Sequence, residues 1–222
     1  MAKDCLIDPV TEAYLGSLPS ALPKELAPLE SRVREAGFPV SSREAVEFLI
    51  LACRMVQPHR ILEIGTCVGF SSLVMSYVCP EALIDTIERN PAMIPDAKQN
   101  FTCYNGDRIT LFEGDAAVIL PNLSGPYDLI YLDAAKGQYP SYLADCVRLL
   151  SEGGVLLCDD VLFRGQVCAG KPDCHRNQTI VNRLDDFIKR LKTHPALTTS
   201  VLPISDGMTI SVKRSGNHGE EA

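Results

Sequence analysis

Residues 60–78 read RILEIGTCVGFSSLVMSYV, and this stretch decides the fold. A short apolar run ends at Ile64, a turn containing Gly65 and Gly69 follows, and the next segment has helical spacing. A buried strand that enters a helix through glycines is typical of nucleotide-binding α/β proteins, in which the ligand approaches the backbone closely. The glycine spacing fits neither G-x-G-x-x-G nor a P-loop, so an ordinary strand-to-helix turn remains open.

The same alternation continues along the chain. Apolar runs predict strands at 60–64, 83–88, 109–113, 128–132 and 154–158, and helices are predicted at 71–78, 91–101, 139–150 and 177–192. Such strands between helices favour a parallel sheet covered on both faces. Strands at 199–203 and 208–213, joined by Ser205, Asp206 and Gly207, predict a closing antiparallel hairpin. We therefore predict a Rossmann-like α/β fold with a mostly parallel seven-stranded sheet.

The amino-terminal part has a different pattern. Helices are predicted at 11–18 and 24–36, and a third helix has Ser41 or Ser42 as its N-cap. We expect one structural domain that consists of a helical cap at 1–57, a core at 58–214 and a flexible tail at 215–222.

Composition excludes several protein classes. The 222 residues are 46% apolar and 22% charged, which is typical of a globular protein and excludes disordered and collagen-like chains. The longest uncharged stretch, 64–80, is too short and polar to span a bilayer, and the first twenty residues lack a signal-peptide pattern. These features predict a cytoplasmic protein without a membrane partner.

Nine cysteines without a C-x-x-C pair indicate reduced and mostly buried thiols. Cys168, Cys174 and His175 form a possible zinc-ligand set, but a zinc site is disfavoured because no fourth ligand lies nearby in the sequence.

Charge is distributed unevenly. The net charge is −7, yet residues 161–193 hold seven positive against three negative side chains, so this segment is +4. An acidic protein with one basic face is the expected result.

Two acidic positions predict an adenosine site. Glu88 ends the second predicted strand, where a carboxylate can accept hydrogen bonds from both ribose hydroxyls. Asp115 and Ala116 follow the third strand and suit an adenine amino group. A solvated charge at the strand end is the alternative for Glu88.

A second acidic group follows the next two strands. Asp133 ends the fourth strand, and Asp159 and Asp160 end the fifth, so three carboxylates reach one sheet edge. Because unpaired carboxylates repel, a hard divalent cation would stabilise them, although separate N-cap aspartates are the alternative. Lys136 is close enough in sequence to act as a base or to position a substrate oxygen; a surface lysine is the other interpretation.

Together these motifs resemble the class I S-adenosylmethionine methyltransferases, specifically the cation-dependent O-methyltransferases that include the catechol and caffeoyl-CoA enzymes. The likeness spans residues 36–213, and its later motifs look most like the bacterial tRNA 5-hydroxyuridine methyltransferases. The motifs are RILEIGT (60–66), TIER (86–89), LDAAKGQY (132–139), DVLFRG (160–165) and PISDGM (203–208).

The resemblance implies S-adenosylmethionine as methyl donor, a divalent cation with Mg²⁺ expected, and a homodimer. The implied cofactor-binding residues are Val40, Glu63, Gly65, Ser71, Glu88, Asp115, Ala116 and Asp133. The implied metal ligands are Asp133, Asp159 and Asp160, with Asp133 and Lys136 as catalytic residues. This family usually carries Asn where the chain has Asp160, so the site holds an extra negative charge.

The implied substrate is the wobble 5-hydroxyuridine of a tRNA anticodon stem-loop, and the product is 5-methoxyuridine. The adjacent oxygens of this base can chelate a metal just as a catechol can, so small catechol-like or caffeoyl-type phenols are the alternative substrates. RNA phosphates would contact Arg164, Arg183, Lys189 and Arg190, unless these only solvate an amphipathic helix. Lys136 and the three carboxylates disfavour a noncatalytic adenosine-binding module, and the glycine spacing disfavours an NAD-dependent dehydrogenase.

Overall fold

A computed structural model of the chain describes residues 9–170 and 172–216. Seven strands form one sheet in the order β3-β2-β1-β4-β5-β7-β6. They are β1 (Arg60–Ile64), β2 (Leu83–Glu88), β3 (Ile109–Glu113), β4 (Tyr127–Leu132), β5 (Leu150–Cys158), β6 (Leu197–Leu202) and β7 (Met208–Lys213). The first five strands are parallel, and β7 is antiparallel to both β5 and β6. The predicted α/β fold is confirmed.

Helices cover both faces of the sheet. They are α1 (Pro9–Ser17), α2 (Ala27–Glu35), α3 (Arg43–Val56), α4 (Phe70–Val78), α5 (Ile94–Cys103), α6 (Ala116–Ile119), α7 (Tyr139–Leu149), α8 (Gln166–Ala169) and α9 (Gln178–Thr193). Short 3₁₀ turns lie at Lys24–Leu26, Leu120–Asn122, Lys136–Gln138 and His175–Asn177. No helix among these described residues is long and apolar enough to cross a membrane.

Prolines explain two differences from the predicted helices. The helix predicted at 24–36 is a 3₁₀ turn followed by α2, which has Pro28 in its first turn. The helix predicted at 91–101 begins only at Ile94, with Pro95 in its first turn. Proline has no backbone N–H to donate, so it is tolerated where a helix begins and not in its interior.

The cap helices α2 and α3 pack on one face of the sheet. Leu29 and Leu49 lie in one apolar core with Ile61 and Leu129 of the strands. The Ser42 hydroxyl accepts a hydrogen bond from the Ala45 N–H at 3.2 Å, which makes Ser42 the N-cap of α3. This contact fixes the loop before α3 above the carboxyl ends of the strands. Part of the predicted tail, 217–222, lies outside the described residues.

The other face of the sheet is covered by α7 and α9. Tyr139 and Phe187 meet there edge to face, with ring centroids 5.4 Å apart. Tyr139 begins α7, directly after the loop that leaves β4. The packing of this ring therefore positions the loop that contains Asp133 and Lys136.

Candidate active site

A cavity of about 680 Å³ opens at the carboxyl ends of the parallel strands. This volume is within the range of small-molecule sites, and the location is where open α/β sheets bind ligands. The loop before α3, the turns after β1, β2, β3, β4 and β5, and the final hairpin all line it. Predicted site residues among the lining are Val40, Gly65, Ser71, Glu88, Ala116, Asp133, Lys136 and Asp160.

The turn after β1 depends on two glycines. Gly65 has φ +110°, and a Cβ there would lie 2.0 Å from the Asp133 carbonyl oxygen. Gly69 has φ +81°, and a Cβ there would lie 2.4 Å from the ring of Phe101. A side chain at either position would meet both backbone strain and a clash. Gly65 therefore allows the β1 and β4 loops to approach each other beside the cavity.

Glu63 supports this turn from within the protein. Its carboxylate is fully buried and accepts hydrogen bonds from the hydroxyls of Ser71 at 2.5 Å, Thr86 at 2.6 Å, and Ser72. Burial raises the pKa of Glu63 to about 7, although the three hydroxyls oppose this shift. Ser71 lines the cavity, whereas Glu63 does not. Glu63 therefore contributes to the site indirectly, by holding the Ser71 side chain in place.

Glu88 ends β2 at the wall of the cavity. It is only 8% exposed, so it is not a solvated strand-end charge. Its two carboxylate oxygens accept hydrogen bonds from the backbone N–H groups of Cys67 and Asn90, each at 2.7 Å. Each oxygen has a second lone pair, so the fixed carboxylate can still accept hydrogen bonds from ribose hydroxyls.

Asp115 and Ala116 follow β3 but differ in their surroundings. Ala116 and the preceding Gly114 line the cavity. The Asp115 carboxylate accepts a hydrogen bond from the Ala117 N–H at 2.8 Å and so caps α6. Its side chain is 46% exposed. Asp115 therefore lies at the rim of the cavity as a helix cap.

Asp133, Asp160 and Lys136 form an ion-paired cluster. The Lys136 ammonium lies 2.5 Å from Asp133 Oδ1 and 2.9 Å from Asp160 Oδ2. Burial lowers the pKa of Lys136, but Tyr139, Asp133 and Asp160 outweigh it and raise that pKa well above its usual value. Lys136 is thus neither a free surface lysine nor, in this arrangement, a free base.

Asp159 lies behind this cluster and is almost completely buried. Its Oδ1 accepts a hydrogen bond from the Asp160 N–H at 2.8 Å, and its Oδ2 accepts one from the Tyr131 hydroxyl at 2.9 Å. Burial, with Asp133 and Asp160 nearby, raises the pKa of Asp159 to about 7. A positive charge beside these three carboxylates would therefore be stabilising.

The donor chemistry fits a hard divalent cation, because carboxylate oxygens are what Mg²⁺ and Mn²⁺ prefer. In the described ranges, however, no three acidic, histidine or cysteine side chains already converge at metal-binding distances. The Lys136 ammonium lies between two of the three predicted ligands. A metal at this site would have to compete with that ammonium.

Sequence reasoning missed Tyr131 and Ser41. Tyr131 lies inside an apolar strand and is indistinguishable from a core aromatic by composition. One signal was present: Tyr131 precedes Asp133 by two residues, and the alternation of a strand that continues into its first loop residue directs both side chains to the same side. The Ser41 hydroxyl lies 3.0 Å from the Tyr131 hydroxyl and donates to Asp133 Oδ2 at 3.3 Å.

The final hairpin stabilises the loop after β5. The N–H groups of Val161 and Leu162 donate to the carbonyls of Gly207 at 2.9 Å and Asp206 at 3.0 Å. Gly207 has φ +88°, and a Cβ there would lie 2.3 Å from the Leu162 side chain. The hairpin turn therefore fixes the segment that follows Asp160.

The predicted RNA-contacting cations are largely paired within the protein. Lys189 and Arg190 form ion pairs with Asp185 at 2.6 Å and Asp186 at 2.8 Å. Arg183 donates to the Gly137 carbonyl at 2.8 Å. The fourth, Arg164, is exposed next to the hairpin.

The prediction of reduced and mostly buried cysteines is confirmed only in part. Of the eight cysteines in the described ranges, all have free thiols, and four of them are buried. Cys103 at the end of α5, Cys168 in α8 and Cys174 after it are exposed, so the expectation of mostly buried thiols was too strong for these positions.

Comparisons with known proteins match this architecture. Residues 20–214 match the family model described as O-methyltransferase. A catechol O-methyltransferase of Mycobacterium tuberculosis is 33% identical over 135 residues, which cover 60% of this chain and 61% of the relative. A catechol O-methyltransferase of Niastella koreensis is 28% identical, with 80% of this chain and 85% of the relative covered.

Solved structures show the same similarity. The SAH-bound methyltransferase PaMTH1 of Podospora anserina superimposes with a TM-score of 0.83 at 32% identity, covering 93% of this chain and 94% of that one. The O-methyltransferase TomG of Streptomyces achromogenes, in complex with SAM, superimposes with a TM-score of 0.79 at 26% identity, covering 93% and 96%. Fold, site geometry and family match agree, and this chain belongs to the O-methyltransferase family.

Proposed function

We propose that this chain transfers the methyl group of S-adenosylmethionine to one hydroxyl of a small catechol-type phenol. One observation carries the proposal: a continuous cavity joins the fixed Glu88 acceptor and the glycine turn to the cluster of Asp133, Lys136 and Asp160. The reaction type follows from family membership, and two relatives that are named catechol O-methyltransferases support the substrate class.

The chain's own residues suit both reactants. Glu88 would accept hydrogen bonds from the ribose hydroxyls of the methyl donor. The amino end of α4, beside Ser71, would face the donor's carboxylate, which the helix dipole favours there. The donor's electrophilic methyl group would then point towards Asp133, at the phenol end of the cavity.

At that end the phenol must lose a proton, which would pass to water in the open cavity, because a phenolate is a far better nucleophile than a phenol. Its oxygen then bonds to the methyl carbon as the methyl–sulfur bond breaks, and S-adenosylhomocysteine leaves. A divalent cation held by Asp133, Asp159 and Asp160 would lower the pKa of the phenol. Two ion pairs keep Lys136 protonated in this arrangement, and a cation that displaced its ammonium from these carboxylates would leave it to stabilise the negative phenolate oxygen. Tyr139 helps to hold that ammonium in place, accepting a hydrogen bond from it at 3.2 Å.

The pairing of the predicted RNA-contacting side chains within the protein favours a small phenol over tRNA as the substrate. Lys189 and Arg190 each lie in an ion pair, with Asp185 and Asp186, so neither side chain stands free for a phosphate, and the +4 of this segment already includes both aspartates. Wobble 5-hydroxyuridine stays a prediction, because its adjacent oxygens would fit the same cluster. The homodimer and the choice of Mg²⁺ also stay predictions.

The experiment is a methylation assay with labelled S-adenosylmethionine on catechol, on 3,4-dihydroxybenzoate and on tRNA that carries 5-hydroxyuridine. We expect the small phenols to be methylated, EDTA to abolish turnover, and Mg²⁺ or Mn²⁺ to restore it. Asp133→Asn should lose roughly 100-fold or more in kcat/KM. Asp145→Asn is the matched control, because Asp145 pairs with Arg148 on α7 and is not among the residues that line the cavity.

The possible results separate the parts of the proposal. Methylation of tRNA alone would replace the substrate class and leave the reaction type. Full turnover of metal-free enzyme in EDTA would remove the cation. No methylation of any of the three would contradict the proposed function.

A further inference from the structure

A buried tyrosine hydroxyl connects the helical cap to the carboxylate cluster, which consists of Asp133, Asp159 and Asp160. Tyr131 lies in β4 and is fully buried among the residues beneath α3. Its hydroxyl lies 3.0 Å from Ser41 Oγ on one side and donates to Asp159 Oδ2 at 2.9 Å on the other. A buried polar group of this kind is stabilising only when it is hydrogen-bonded, and here both of its partners belong to the site.

This hydroxyl completes the restraint on Asp159. The other oxygen of that carboxylate, Oδ1, is held by the Asp160 N–H at 2.8 Å. With both oxygens bonded, the carboxylate plane is fixed relative to the end of β5. If the tyrosine hydroxyl is lost, only the backbone contact remains, and the carboxylate can rotate about its χ2 angle.

Ser41 extends the chain of hydrogen bonds to the cap and to Asp133. Its hydroxyl is shared between the Tyr131 oxygen and Asp133 Oδ2, the latter at 3.3 Å, while Lys136 holds Asp133 Oδ1. Its carbonyl accepts a hydrogen bond from Arg34 of α2 at 3.0 Å. Ser41 also lines the cavity, directly before the N-cap of α3.

We infer that Tyr131 is a positioning residue, which, together with Ser41, sets the orientation of Asp159 relative to Asp133 and couples that orientation to the cap. The inference rests on the proposed function, since it assigns Tyr131 to the carboxylates that would hold the cation. Partners in the second layer of metal sites orient the ligands, and their loss typically weakens metal binding about 10- to 100-fold.

Tyr127 provides a matched control on the same strand. It is also buried, and its hydroxyl also donates to a carboxylate, Asp85 Oδ2, at 2.6 Å. Tyr127 begins β4, whereas the cluster follows the end of that strand. Tyr127→Phe therefore removes an equivalent hydrogen bond without touching the site.

The test is Mn²⁺ binding, measured from the electron paramagnetic resonance signal of free Mn²⁺, with circular dichroism to confirm folding. We expect Tyr131→Phe to bind Mn²⁺ about 10-fold more weakly and Tyr127→Phe to bind it like the wild type. In methylation assays, Tyr131→Phe should lower kcat and leave the KM for S-adenosylmethionine unchanged, because Glu88 and the glycine turn are untouched.

Ser41→Ala tests the same connection from the other end and does not depend on Tyr131→Phe folding. If the two hydroxyls act as one unit, the double variant should lose less than the product of the two single losses. Independent effects, unchanged Mn²⁺ affinity in Tyr131→Phe, or an equal loss in Tyr127→Phe would each overturn the inference.

The inference and the proposed function fail separately. A wild-type enzyme that methylates a phenol but binds no Mn²⁺ would overturn the role of Tyr131 and the cation, and would leave the proposed methyl transfer standing. A wild-type enzyme that binds Mn²⁺, with the expected loss in Tyr131→Phe, but methylates no phenol would keep the role of Tyr131 and contradict the proposed substrate.

Discussion

Replacement of Glu88 tests the adenosine end of the cavity most directly. Glu88→Gln keeps the size of the side chain and one acceptor oxygen but removes the negative charge. A hydrogen bond to a charged group contributes about 1.5–3 kcal/mol, compared with about 0.5–1.5 kcal/mol for a neutral one. We expect affinity for S-adenosylmethionine to fall by about 1–3 kcal/mol, which is about 5- to 150-fold.

Glu88→Ala should have the same effect on binding and a second effect on stability. The backbone N–H groups of Cys67 and Asn90 both donate to Glu88, so alanine leaves two donors without their acceptor. Each unsatisfied buried group costs about 1–3 kcal/mol, less where water can reach it. Glutamine leaves only one of these donors without an acceptor, because its amide nitrogen cannot accept a hydrogen bond. The glutamine variant is therefore the cleaner measure of recognition, and the alanine variant reports on the turn.

Isothermal titration calorimetry with S-adenosylmethionine measures the expected change. Glu113→Gln is the matched control, because Glu113 ends the neighbouring strand opposite Glu88 and pairs with Lys98 at 2.6 Å instead of lining the cavity. Unchanged affinity in folded Glu88→Gln, or an equal loss in Glu113→Gln, would refute the assignment of Glu88 to the ribose.

Two further predictions concern stability. The folded-state pKa of Glu63 is raised from 4.5 to about 7, so the folded protein binds the extra proton between these values. The free energy of unfolding should therefore fall by up to about 3 kcal/mol as pH rises through this window, and Glu63→Gln should lose that part of the slope in urea titrations. Gly65→Ala should destabilise the fold by about 2–5 kcal/mol, because φ strain is added to a clash with the Asp133 carbonyl. Gly153→Ala is the control, because Gly153 has φ +74° and open space around the added Cβ, so this variant should show the cost of backbone strain alone. An equal loss of unfolding free energy in both variants would contradict the clash at Gly65.

Local sequence patterns were sufficient to place the first three strands. The bounds of β1, β2 and β3 agree with the predicted ones, because each is a short apolar run that ends at a polar or glycine-rich turn. The start of β5 was predicted four residues late, at 154 instead of Leu150. Strand pairing extends it: Leu150 pairs with Tyr127 across an irregularity in register, which no local pattern indicates.

The site was predicted at the level of which residues assemble, less well at the level of what each side chain contacts. Strand ends in a parallel sheet must share an edge, so the grouping of Asp133, Asp159 and Asp160 followed from the strand order alone. Side-chain directions depend on tertiary packing. Hence the sequence did not reveal that Glu63 lies beneath the turn or that Lys136 bridges two carboxylates.

The sequence motifs that are far apart in the chain contact one another in the fold. The turn after β1 and the loop after β4 touch through Gly65 and the Asp133 carbonyl, and the loop after β5 is bonded to the hairpin turn at Gly207. A side chain at either glycine would press on a loop that holds a carboxylate. The segments 60–66, 132–139, 160–165 and 203–208 therefore constrain one another as a single packed unit, although Gly65 and Met208 are 143 positions apart in the chain. Any change that moves one of these loops should alter the geometry of the carboxylate cluster before it alters the sheet itself.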